Sequence, residues 1–134
     1  MFGRSILLGA TAGILSGLAC IVFEMVYKET VFVDFSVLIS KGSYFGACIF
    51  GCVLASIGFW AAMKAIPKYG EIIFNFLFAL LTFASILGPI MYEWPAEMPA
   101  NQLEAFSYFQ MYAMTLHFFP IVVWFTLKPL FIKK

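Results

Sequence analysis

Four apolar runs, 5–27, 44–63, 72–92 and 108–127, are separated by only three short connections in this 134-residue chain. A helix needs about 20 mostly apolar residues to cross a hydrocarbon core of about 30 Å, and each run is long enough. Nearly every residue therefore lies in a run or beside one, which leaves no room for a soluble domain. The expected fold is an all-α integral membrane protein: a single domain over 1–134, with four transmembrane helices in an up-down bundle. Composition agrees, at 63% hydrophobic and 11% charged against about 45–50% and 25% in an ordinary soluble domain. A small soluble domain leaves too much surface facing water to hide that apolar area. A net charge of +1 supplies no basic face for nucleic acid.

Orientation follows from Lys and Arg. Arg4, Lys64, Lys68, Lys128, Lys133 and Lys134 fall on one side of the membrane, Lys28 and Lys41 on the other. Both termini are expected in the cytoplasm, with a bacterial inner membrane as the expected location. Tyr27, Tyr44, Tyr92, Trp94 and Tyr108 would mark the outer interface, and Trp60, Tyr69 and Trp124 the inner one. The Gly17-Leu18-Ala19-Cys20 segment faintly resembles a lipoprotein cleavage site, but Ile21, Val22 and Phe23 continue the apolar run. The first span is expected to stay uncleaved.

Local signals place the connections. Asp34 can cap a short helix through Ser40 that Gly42 ends, with an apolar loop on the headgroups as the alternative. Asn101 and Glu104 have capping-box spacing, so the fourth helix should start near Gln102. Pro95 and Pro99 keep the preceding loop non-helical, and Pro67 and Gly70 make the inner connection a tight turn. Pro89 and Pro120 lie inside spans and should kink them. Eight of the 10 glycines precede residue 60, whereas ten of the 17 Phe follow residue 70. No internal repeat is visible, which counts against the inverted-repeat transporters.

Three features could carry function. Gly9, Gly13 and Gly17 on the first helix, and Ala47, Gly51 and Ala55 on the second, recur every four residues. Each series makes a smooth stripe, expected to pair the two helices or, alternatively, to seat another subunit. Glu24 is the sole acid inside a span, about one turn or 5–6 Å from its outer end. It is expected to snorkel to water; the alternative is a buried carboxylate that binds a proton or cation. Tyr44, Tyr92, Gln110 and Tyr112 lie at similar depth and could hydrogen-bond it. Small multidrug exporters also combine four short helices with a membrane Glu in the first, but their surrounding motifs are absent here.

His117, the single histidine, falls at the middle of the fourth span, level with Ser16, Cys52 and Thr82. It is expected to be a structural histidine whose N–H finds a hydroxyl or carbonyl; a proton relay or quinone contact is the functional alternative. Haem held by two histidines would need a second one. Gln110, Met114, His117, Ile121 and Trp124 share a face of the fourth helix, as Asn75, Ala79, Thr82 and Ser85 do on the third. These faces should meet inside the bundle, leaving Phe74, Phe76, Phe83, Phe118, Phe119 and Phe125 mostly toward lipid or a partner.

Cys48 and Cys52 are four apart and Cys20 is on another helix, unlike the Cys-x-x-Cys pair of four-helix disulfide-generating enzymes. No paired carboxylates, metal cluster, nucleophile with a base or phosphate loop is visible, so no enzyme activity, metal or cofactor is expected. The expected role is a non-catalytic accessory or assembly subunit of a larger membrane complex, for example respiratory or secretory. Its partners would be the lipid bilayer and other membrane subunits, or further copies of itself. The alternative is a small oligomeric proton- or cation-coupled carrier using Glu24 and His117, with Gln110 and Thr82 nearby.

Overall fold

The computed structural model describes residues 1–33, 35, 39–93 and 103–132. All regular structure among them is helical: α1 (Phe2–Val31), α2 (Lys41–Ala65), α3 (Gly70–Met91), α4 (Leu103–Leu116) and α5 (Phe118–Phe131). Four stretches are long and apolar enough to cross a membrane: α1, α2, α3 and the combined run Ala105–Phe131. Apart from the C-terminal end of α3, which stops at Met91, the helices extend past the apolar runs of the sequence, because a helix keeps its internal hydrogen bonds after it leaves hydrocarbon.

The fourth stretch is broken at His117, for a covalent reason. Pro120 has no N–H to give the carbonyl of Leu116, and its ring crowds that carbonyl. The chain responds with a tighter turn, in which His117 N–H donates to Met114 O at 3.2 Å. Pro89 has a milder outcome, since it lies in the last turn of α3 and the helix ends at Met91. Ser40 opens α2, its side chain accepting from Ser43 N–H at 3.2 Å. Gly42 accordingly sits in the first turn of α2. Asp34, the residues 36–38, the loop prolines Pro95 and Pro99, and the Asn101 cap lie outside the described residues.

The most extensive contact joins α1 to α2. Gly9 and Gly13 lie directly on the α2 backbone: a Cβ on Gly13 would sit 2.5 Å from Ile49 Cα, and one on Gly9 would sit 2.8 Å from Val53 Cα. Gly17 lies under the Phe45 ring. Beside this glycine row runs a second buried row, Leu8, Ala12, Ser16, Cys20 and Glu24, which faces Tyr44, Cys48, Cys52 and Ser56 on α2. Steps of four backward along α1 match steps of four forward along α2, so the helices are antiparallel and in register. Tyr44 meets Glu24, and Cys48 Sγ lies 3.8 Å from Cys20 Sγ.

The partner of the glycine stripe is therefore not the Ala47, Gly51 and Ala55 row expected from spacing. Gly51 has nothing within 4 Å of where a Cβ would stand, and Ala47 is exposed. Four-residue spacing shows that a helix has a smooth face but not which neighbour uses it. On α2 the contact face is a row of slightly larger residues that fills the space the glycines leave.

Aromatic rings hold the rest. At one end Phe23, Tyr27 and Phe35 gather around Tyr112, with Tyr27 Oη donating to Tyr108 O at 2.8 Å. At the other, Phe59, Phe74, Phe78 and Phe125 surround the fully buried Trp124. Phe74 was expected on the outside but is 9% exposed. Its ring fits over Gly58, whose missing side chain leaves the space. Phe76 and Phe83 do face outward, and Phe119 and Phe125 are half-buried.

The different surroundings of two glycines give a direct test. Gly13→Ala should destabilise the detergent-solubilised protein by about 1–3 kcal/mol through forced overpacking, read as a lowered Tm. Gly51→Ala should leave Tm unchanged or raise it, since the added methyl meets open space and favours the helix. Equal effects at the two sites would contradict the packing described.

Candidate functional site

A cleft of about 550 Å³ opens between α2 and α3. Ala47, Gly51, Ala55 and Gly58 form its α2 wall, and Phe78 and Leu81 stand on α3. The helix break supplies the floor through Leu116, His117 and Pro120. Its polar groups are Tyr44, Thr82, Ser85 and His117; among the described residues no Asp, Glu, Lys or Arg lines it. The small-residue row that α1 leaves uncovered is thus what makes room for the cleft.

His117 owes its place to Pro120, because the break turns position 117 toward α3. Its Nδ1 lies 2.9 Å from Ser85 Oγ, which lies 2.7 Å from Thr82 O. Thr82 is buried and returns its own hydroxyl to Phe78 O one turn back, at 2.9 Å. Of the groups level with His117 in the sequence, Ser16 and Cys52 belong elsewhere. Ser16 donates to Ala12 O at 2.6 Å, and Cys52 Sγ approaches Pro120 O at 3.8 Å.

Glu24 does not snorkel. It is 6% exposed and accepts a hydrogen bond from Tyr44 Oη. Reaching water would mean leaving the close α1–α2 contact, whereas Tyr44 supplies a donor within it. A buried carboxylate without a donor would be costly. Of the other groups expected near Glu24, Tyr112 is 1% exposed and packs in the aromatic cluster, while Tyr92 packs on Phe109. Gln110 Nε2 instead donates to Pro89 O and Ile90 O, at 3.2 Å each. It thereby satisfies carbonyls that the end of α3 leaves without helical partners.

Glu24 and His117 are therefore not joined directly. One is tied between α1 and α2, the other between α3 and the helix break. Tyr44 connects the two settings, because it donates to Glu24 and also lines the cleft that His117 floors. No group of three or more metal-ligating side chains is present among the described residues.

Two polar arrangements go beyond the sequence reading. Trp124 Nε1 donates to Ser56 Oγ at 2.8 Å in the buried interior. Lys128, its side chain only 12% exposed, pairs with Glu71 at 2.8 Å and donates to Asn75 Oδ1 at 3.3 Å. The Lys128 ammonium also lies 5.5–5.9 Å from the ring centroids of Phe59, Trp124 and Phe125, within cation–π range. The available signal was the four-residue spacing of Trp124 and Lys128, with Glu71 in the first turn of the neighbouring helix. In the sequence Lys128 reads only as one of the basic residues that orient the chain, and Glu71 carries no expectation.

The Glu24–Tyr44 bond is testable by a double-mutant cycle. Tyr44→Phe should cost about 1–3 kcal/mol of stability, because it strands a buried acceptor. In a Glu24→Leu background the same change should cost much less. Additive effects on Tm would show that the two groups do not interact. Comparison with family models, curated proteins and solved structures found no match to this chain.

Proposed function

We propose that the chain is a non-catalytic accessory or assembly subunit of a larger membrane complex, with its helices in up-down order and both termini cytoplasmic. A bacterial inner membrane fits the sorting of its charges. The supporting observation is where the chain spends its polar groups and where it leaves surface. The five buried polar side chains among the described residues, Ser5, Ser16, Glu24, Ser56 and Thr82, are each hydrogen-bonded within the chain. They serve cohesion. Outside, burial is uneven: 39% of the apolar stretch is buried in α1, 17% in α3 and 11% in the fourth stretch.

The uncovered flank is aromatic. Phe76 and Phe83 are 68% and 63% exposed, and the Phe83 and Phe118 rings meet edge to face at 5.9 Å. Lipid can cover such a surface, but large rigid rings bury more area against a protein for little lost freedom. A subunit role fits that flank, with α1 and α2 as the closely packed half and α3 with α4–α5 as the presenting half.

A second reading rests on Glu24 itself. A carboxylate held by Tyr44 at the edge of a cleft floored by His117 suits a proton- or cation-coupled carrier. The two readings separate cleanly. In mild-detergent extracts, native electrophoresis should place the protein in an assembly much larger than its own oligomers. Phe76→Ala with Phe83→Ala should release it. Migration only as a self-oligomer would contradict the subunit role. The carrier reading instead requires proton-linked flux in liposomes that Glu24→Gln abolishes, and unchanged flux would remove Glu24 from any such mechanism.

A further inference from the structure

His117, which lines the cleft between α2 and α3, has a ring nitrogen left without a hydrogen-bond partner among the described residues. Ser85 Oγ is 2.7 Å from the Thr82 carbonyl and 2.9 Å from His117 Nδ1. The carbonyl can only accept, so the single serine proton goes to Thr82, the shorter contact. His117 Nδ1 must then be the donor to Ser85 Oγ. A neutral imidazole protonated at Nδ1 carries a bare lone pair at Nε2. Among the described residues Nε2 has no partner. At the middle of a membrane-spanning stretch, bulk water is poorly placed to supply one.

Size, charge and shape describe what would supply it. About 550 Å³ lies within the usual range of about 300–1,000 Å³ for small-molecule sites. A spanning helix about 10 Å wide and 30 Å long occupies on the order of 2,400 Å³, several times too much. With no charged side chain on its walls among the described residues, the cleft suits a neutral molecule and offers nothing to a phosphate headgroup. Its α2 wall is smooth at Gly51 and Ala55, and Phe74 and Phe78 line the α3 side, a setting in which a flat ring packs well.

We infer that this cleft binds a lipid-soluble phenol of the hydroquinone class, whose hydroxyl donates to His117 Nε2 while its apolar tail extends into the bilayer. The imidazole selects a donor. A hydroquinone presents two phenolic O–H donors, either of which can serve, whereas the corresponding quinone or dimethyl ether presents only acceptors. Ser85 and Thr82 hold the tautomer that makes this selection.

Because the chain has 1 His, ring-¹⁵N histidine labelling reports on this site alone. The full-length protein in phosphatidylcholine nanodiscs should show a protonated Nδ1 and an unprotonated Nε2. Titration under reducing, anoxic conditions with a decyl-tailed benzohydroquinone should shift the Nε2 resonance saturably. Its dimethyl ether and decanol should bind at least about tenfold more weakly, the hydrogen bond and the ring being lost in turn. His117→Leu should weaken hydroquinone binding by about tenfold. Gly51→Leu, which extends a side chain into open space, should abolish it while helical circular dichroism is retained. A proton on Nε2 in the free protein, an unmoved Nε2 resonance, equal affinity for the ether or decanol, or full binding by the Gly51 variant would each overturn the inference.

Discussion

The close approach of α1 to α2 governs the rest of the molecule. Gly9 and Gly13 bring the two backbones so near that no side chain fits between them at those points. Lipid tails are as apolar as leucine, so this association gains from van der Waals contact and interhelical hydrogen bonds more than from burial. Once the glycines fix the register, the neighbouring row has no freedom. Glu24 must face Tyr44, and Cys20 must face Cys48. The α4–α5 stretch then closes on this pair, with Trp124 donating to Ser56 and Cys52 approaching the Pro120 carbonyl.

A second consequence concerns the face of α2 that α1 does not use. Ala47, Gly51 and Ala55 are small, and α3 comes close to α2 at the Gly58–Phe74 end, where Gly70 also lies against Ala62. Space remains above that contact, and Pro120 breaks the fourth stretch beside it, bringing His117 to its floor. The cleft thus arises from two backbone constraints, a glycine-rich contact on one side and a missing N–H on the other. Polar ties keep α3 in place along its length: Gln110 at its C-terminal carbonyls, His117 at Ser85, and Lys128 at Glu71 and Asn75.

Features set by covalent structure or by solvent were legible in the sequence. Run length gave four apolar helices, Pro120 gave the break, and glycine spacing gave α1 a smooth face. What one sequence does not encode locally is which faces meet. The smooth row on α2 turned out to border the cleft, because α1 packs on Cys48, Cys52 and Ser56 instead. Phe74 is buried since Gly58, on another helix, leaves room for its ring. Depth alone suggested that Glu24 would reach water, but the hydroxyl that holds it comes from α2 and only the register brings it near. Lys128 read as a flanking charge, although Glu71 and three rings draw it largely out of water.

That register can be tested with the chain's own thiols. Cys20 and Cys48 lie with their sulfurs 3.8 Å apart, while Cys52 is one turn further along α2. Mild oxidation with iodine in native membranes, followed by proteolysis and mass spectrometry, should yield an intramolecular Cys20–Cys48 link as the dominant product. Gly13→Leu, which forces α1 away from Ile49, should suppress it. A dominant Cys20–Cys52 link, or no link between α1 and α2, would contradict the register on which the rest of the architecture depends.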